Sequence, residues 1–113
     1  MKKSLLVVAF IATSEIYKHR FVAKTNDGTE HANTTLRAIG VSEQGCKAGE
    51  VLDVLVQGIA EVEVGSGGVV AGGLAKPDAD GKAVTAASGE QIGGIVLKSG
   101  AEGNIVPVLL NYA

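Results

Sequence analysis

Along the whole chain no segment of ten or more residues places its apolar side chains at the helical period, and glycine interrupts the aliphatic runs throughout. Gly contributes 16 residues, and Ala and Val 15 each, so three small or β-branched types fill a large share of the 113 positions. Val and Ile fit a pleated surface because their branched side chains are stiff at χ1. Short aliphatic runs with glycine turns between them predict an all-β fold, a small barrel or sandwich of short strands. At most one or two short helical turns are expected. The length suits a single β domain over residues 1–113, with 1–12 as a first strand or contact arm.

The strands can be placed by pattern. Leu5 to Ala12 and Arg20 to Lys24 read as strands separated by the polar connection Ser14–His19. Asn26-Asp27-Gly28 is a turn, since these residues tolerate positive φ. His31 to Leu36 reads as a loop or edge strand, and Ala38 to Val41 as a short strand. Val51–Val56 and Ile59–Val64 read as a hairpin joined by Gln57-Gly58. In its second arm Ala60, Val62 and Val64 alternate with Glu61 and Glu63, which predicts one wet face. Leu74–Lys76, Ala83–Thr85, Gln91–Leu97 and Ile105–Leu110 complete the set, with Pro77–Gly81 as a further turn.

Displaced by 54 residues, the chain falls on itself. Gly40-Val41 meets Gly94-Ile95, Gly49 meets Gly103, Val51-Leu52 meets Ile105-Val106, and Val54–Val56 meets Val108–Leu110. At a displacement of 53, Asp27-Gly28 meets Asp80-Gly81 and Phe21 meets Leu74. Glycine-rich β sequences align with themselves readily. The ordered run of matches also fits a duplicated β motif, two similar halves on one core.

The inventory for chemistry is thin. Net charge is −2, which does not suit an electrostatic nucleic-acid binder, and aromatics are 4%, too few for a stacking platform. No apolar run reaches the ~20 residues that span a bilayer as a helix. His19 and His31 lack metal-ligand spacing and read as surface or loop histidines. Cys46, beside Lys47, is the single cysteine; a thiol lowered by that lysine or paired with a histidine competes with an incidental loop thiol, the simpler reading. Gly65–Gly73 fails the dinucleotide-loop spacing because Val70 stands where the third glycine belongs, and no helix pattern follows. Asp78-Ala79-Asp80-Gly81 lacks the closing Glu of a calcium loop and reads as a turn. The expectation is therefore a non-enzyme with no cofactor and no metal.

The N-terminus has two readings. Lys2-Lys3 followed by Leu5–Ala12 has the layout of a short secretory signal, cleaved near Ser14, and the chain would then be a secreted or cell-surface β adhesion module. As a first strand, the same β-branched stretch leads through a short polar link into the next strand.

Ala12 to Val22, with its Arg20-Phe21-Val22 strand, resembles the start of the small head-decoration (capsid cement) proteins of tailed phages. Asp27-Gly28, Ala38–Val41, Gly49-Glu50-Val51, Asp80–Ala83, Ile92–Val96 and Ile105–Asn111 extend the resemblance over nearly the whole chain. The resemblance implies a non-enzymatic β protein on the outer capsid surface of the virion, bridging major capsid subunits and stabilising the shell. It implies a homo-oligomer, a trimer by preference, because symmetric shell positions favour symmetric assemblies. Lys2, Lys3, Leu5, Leu6, Val7, Phe10 and Ile11 are the candidate capsid or inter-subunit contacts, since the apolar side chains exceed what one edge strand needs and Lys2 and Lys3 suit an acidic capsid surface. No nucleic acid and no membrane is expected among the partners.

Overall fold

A computed structural model of the chain describes residues 6–26, 28–32, 38–86 and 93–110, Leu6 by its backbone alone. Among the described residues nine strands are formed: β1 (Leu6–Ile11), β2 (Arg20–Thr25), β3 (Gly28–His31), β4 (Gly40–Ser42), β5 (Val51–Glu63), β6 (Leu74–Pro77), β7 (Ala83–Thr85), β8 (Gly94–Val96) and β9 (Ile105–Leu110). They hydrogen-bond in the order β3-β2-β4-β5-β9-β8-β6-β7, with β1 on β5, and every strand pair is antiparallel. The sheet curls into a half-barrel, and no helix occurs among the described residues. The fold is all-β, as the glycine and valine pattern predicts.

One expectation fails. Val51–Val56 and Ile59–Val64 are not two arms of a hairpin: Val51–Glu63 is a single strand. Its first half pairs with β1 and β4, its second half with β9. Leu6 lies opposite Gln57 while Val7 lies opposite Leu55, so Val56 is an extra residue, a β-bulge. Gly58 follows at φ 119°, a conformation that strains any residue with a Cβ. Bulge and glycine together bend the strand from one curled sheet into the next. Two smaller boundaries also differ. Strand β8 covers only Gly94–Val96 of the expected 91–97, with 91–92 outside the described residues. Of 31–36, expected as a loop or edge strand, His31 ends the strand Gly28–His31, and 33–37 lie outside the described residues.

The duplication is real in three dimensions. The first unit orders its strands β3-β2-β4-β5-β1, using the first half of β5; the second orders them β7-β6-β8-β9-β5, using the second half. Isolated bridges recur in step. Ala12 pairs in parallel with Thr29, and Val64 with Ala83; Ile16 pairs with Cys46, and Val69 with Gly100. The glycines recur for the same reason. A Cβ on Gly40 would collide with the Leu55 carbonyl and Val54 Cγ1, and one on Gly94 would stand 2.6 Å from the Leu109 carbonyl and from Val108 Cγ1.

The core follows the repeat. Ala12, Ile16, Val22, Leu52 and Val54 fill the first unit, and their counterparts Val64, Val69, Ala75, Val106 and Val108 fill the second. On the opposite face of the first unit, Phe21, Ala23, Val41 and Leu55 join the second unit's cluster, so the units share one continuous apolar contact as well as β5. Phe21 is fully buried there. An aromatic side chain removed from water to this degree contributes about 1.5–3 kcal/mol.

Candidate contact surface

Strand β1 is the outer strand of the first unit, paired on one side with β5 from Leu6 opposite Gln57 to Ile11 opposite Val51. Its sequence, LVVAFI, has no charged residue and no proline. Charge, proline and bulges are the usual devices that keep a free strand edge from pairing with another chain. Period 2 splits its side chains. Phe10 packs against the first unit's core, while Val7 and Ile11 stand 53% and 50% exposed. Val51, opposite Ile11, is 62% exposed and widens the apolar strip. Of the candidate contact residues, then, Val7 and Ile11 present apolar surface and Phe10 is committed largely to packing. Lys2, Lys3, Leu5 and the Leu6 side chain lie outside what the structure describes.

Next to this strip a groove is lined by Val7, Leu55 and Ile59, with Glu43, Gln44 and Asp53 at its rim. It sits where β5 bends, so the apolar walls come from both halves of the strand. The sequence pattern does not show it, because the hairpin it predicts puts Ile59 on a separate arm from Leu55.

A polar cluster ties the two units together. The Arg20 guanidinium donates from Nη2 to Glu63 Oε1 at 3.3 Å and from Nη1 to the Asp80 carbonyl at 3.1 Å. Lys82 adds a second cation 3.6 Å from Glu63 Oε2. The guanidinium also lies 5.3 Å from the Tyr17 ring centre, a cation–π arrangement, and His31 stacks on Tyr17 at 5.6 Å. The Tyr17 N–H donates to His31 Nε2 at 3.0 Å, so that nitrogen must be unprotonated. Burial first, and then the Arg20 charge, hold the His31 pKa below its ordinary value, against opposing pulls from Asp80 and Glu30. His19 turns the chain into β2 at φ 63° and donates from Nδ1 to the Glu61 carbonyl at 3.0 Å. Both histidines are half-exposed, as surface histidines are expected to be, yet both are engaged in holding the fold.

The remaining candidates resolve into structure. Cys46 exchanges backbone hydrogen bonds with Ile16. Desolvation, and then the Glu50 carboxylate, push its thiol pKa up, the opposite of what a nearby lysine would do for a nucleophile. Gly65–Gly73 carries positive φ at Gly67, Gly68 and Gly72 and leads into β6, a strand. Asp78 Oδ1 accepts from the Asp80 and Lys82 N–H groups, which makes 78–82 a side-chain-capped turn.

No family model matches the sequence, and no curated protein matches it. Among solved structures, the chain is similar to the N base of the head fiber protein gp8.5 of bacteriophage phi29. The TM-score is 0.76 at 20% identity, over 96% of this chain and 95% of that one. At that identity the likeness lies in the fold. The all-β fold expected from the sequence is thus also the fold of that head fiber base.

Proposed function

We propose that the chain is a head-decoration protein that binds the outer surface of a phage capsid and bridges major capsid subunits. The observation that carries this reading is the whole-chain fold likeness to the base of a phage head fiber. The physical features of the chain suit the task. A rigid sheet with glycines in tight contact resists deformation, and the uncharged β1 edge with exposed Val7, Ile11 and Val51 offers pairing and apolar surface to a neighbour. The charges of Lys2 and Lys3 suit an acidic capsid surface. The role is mechanical and involves no catalytic step. As a homo-oligomer, a trimer by preference, each assembly touches several subunits and gains by effective concentration.

The test is direct. Purified protein is mixed with expanded empty heads of the phage that encodes it, sedimented and imaged. Saturable binding with density on the capsid exterior is expected, weakened at least tenfold by Lys2→Glu/Lys3→Glu. Absence of the protein from sedimented heads at tens of micromolar would end this reading.

A further inference from the structure

The junction between the two units is a worked example of how one such unit receives another. Glu63 N–H donates to the His19 carbonyl at 2.8 Å, and Phe21 N–H donates to the Gly81 carbonyl at 2.7 Å. The end of β5 therefore lies along the start of β2, with Phe21 beneath it.

Each partner has a counterpart in the other unit. Ala12 donates to the Glu50 carbonyl and accepts from Gly49, while Val64 donates to the Asn104 carbonyl and accepts from Gly103. Ile11 thus stands where Glu63 stands. Along a strand, successive N–H groups point to opposite edges. Since Ala12 N–H points at the Glu50 carbonyl, Ile11 N–H points to the free edge, as Glu63 N–H points to His19. In the same way the Ile16 and Val69 bridges fix Gly72 as the counterpart of His19, and Leu74 as that of Phe21. Ala32 donates to the Phe21 carbonyl and Ala86 to the Leu74 carbonyl, in agreement.

Phe21 is 0% exposed and Leu74 is 37% exposed, because the second unit covers the first and, among the described residues, nothing covers the second in the same way. Among the described residues there is thus one used junction and two unused, mutually matching halves of the same junction.

We propose that a second copy of this chain docks the free edge of β1, at Ala9–Ile11, on Gly72–Leu74 of its neighbour, head to tail. A second copy is the occupant because the matching surface is already known to fit: its own counterpart covers Phe21 inside each chain. The side chains change in the sense an intermolecular contact requires. The internal junction carries the Arg20–Glu63 ion pair, and the corresponding positions are Gly73 and Ile11, so the outer junction is uncharged and apolar. Gly73 has no side chain to hold the strands apart. The contact is heterologous, each copy giving one face and receiving the other, so it propagates until the rotation closes a ring.

The inference stands apart from head binding, since it is read on the free protein with no capsid present. Wild-type protein, Ile11→Arg and Leu74→Arg are each measured by light scattering after size exclusion at 100 µM, with circular dichroism confirming the fold. The wild type is expected at a multiple of 11.4 kDa and each variant at the monomer mass. An equimolar mixture of the two variants restores one intact junction and gives a two-chain species. A two-fold contact of β1 with β1 leaves Leu74→Arg at the wild-type mass, and a different protein as the natural occupant leaves the wild type itself monomeric. Ala9→Arg and Leu97→Arg replace either variant that fails to fold. A monomeric wild type at 100 µM, variants that keep the wild-type mass, or a mixture that stays monomeric overturns the proposal.

Discussion

Gly93 lies against the ring of Phe21 so closely that a Cβ on residue 93 would stand 2.6 Å from Phe21 Cε1 and 2.7 Å from Cζ. The ring cannot retreat, since Phe21 is fully enclosed between the two units and its N–H is held by the Gly81 carbonyl. Gly93→Ala is therefore an overpacking change of about 1–3 kcal/mol. Urea denaturation should show a lowered midpoint with an unchanged slope; wild-type stability would mean that the ring has room to move.

Phe21 and Leu74 share a position in the repeat and differ in cover. Phe21→Ala empties a buried site between the units and should cost about 3–5 kcal/mol. Leu74→Ala trims a side chain that is already partly in solvent and should cost under about 1 kcal/mol in the isolated chain. The comparison is made by equilibrium denaturation at low protein concentration, where association does not add to stability.

Thr29 is fully buried, and its Oγ1 finds no hydrogen-bond partner among the described residues. Its counterpart in the second unit is Ala83, also fully buried. A buried hydroxyl without a partner costs roughly 1–3 kcal/mol. Thr29→Val keeps the shape and removes the hydroxyl, so it should leave the thermal midpoint unchanged or raise it by a few degrees. A clear fall would show that the hydroxyl is satisfied.

His31 binds a proton less readily in the folded chain than in the unfolded one, whose value is about 6.5. Between the two values the unfolded state carries more protons, so stability rises with pH. The His31 contribution is fully present above pH ~7 and is lost as the pH falls below about 6.5 toward the lowered folded value. Protonation also removes the acceptor that holds the Tyr17 N–H. Unfolding free energy measured from pH 7.5 to 5.5 should decline on acidification in the wild type and decline less in His31→Gln.

The sequence reads well wherever the structure is local. Thr25 pairs with Gly28, as the Asn26-Asp27-Gly28 turn signal predicts, and Pro77 pairs with Ala83 across the Asp78-capped turn, because such signals act over a few neighbouring residues. Strands β2, β6 and β9 lie within a residue or two of their patterned runs for the same reason. The contact strip was legible only in part. The apolar excess of residues 5–11 marks β1, yet the inward turn of Phe10 and the outward turn of Val7 and Ile11 depend on its register against β5. The groove at Ile59 had no signal in the sequence, since it forms only where β5 bends.

By itself, the order of residues determined the strands, the glycine turns and the period of 54 that makes the chain two copies of one unit. Those features rest on side-chain shape and backbone freedom over a few neighbouring positions. Gln57-Gly58 shows where that ends: the same pair suits a hairpin turn or a bent continuous strand, and the choice falls to β1, β4 and β9, distant segments that hydrogen-bond to its two halves. Phe21 and Leu74 show it again. Equivalent in sequence, they differ in burial because the second unit packs on the first and, among the described residues, nothing packs on the second in that way, a difference made by contacts between units.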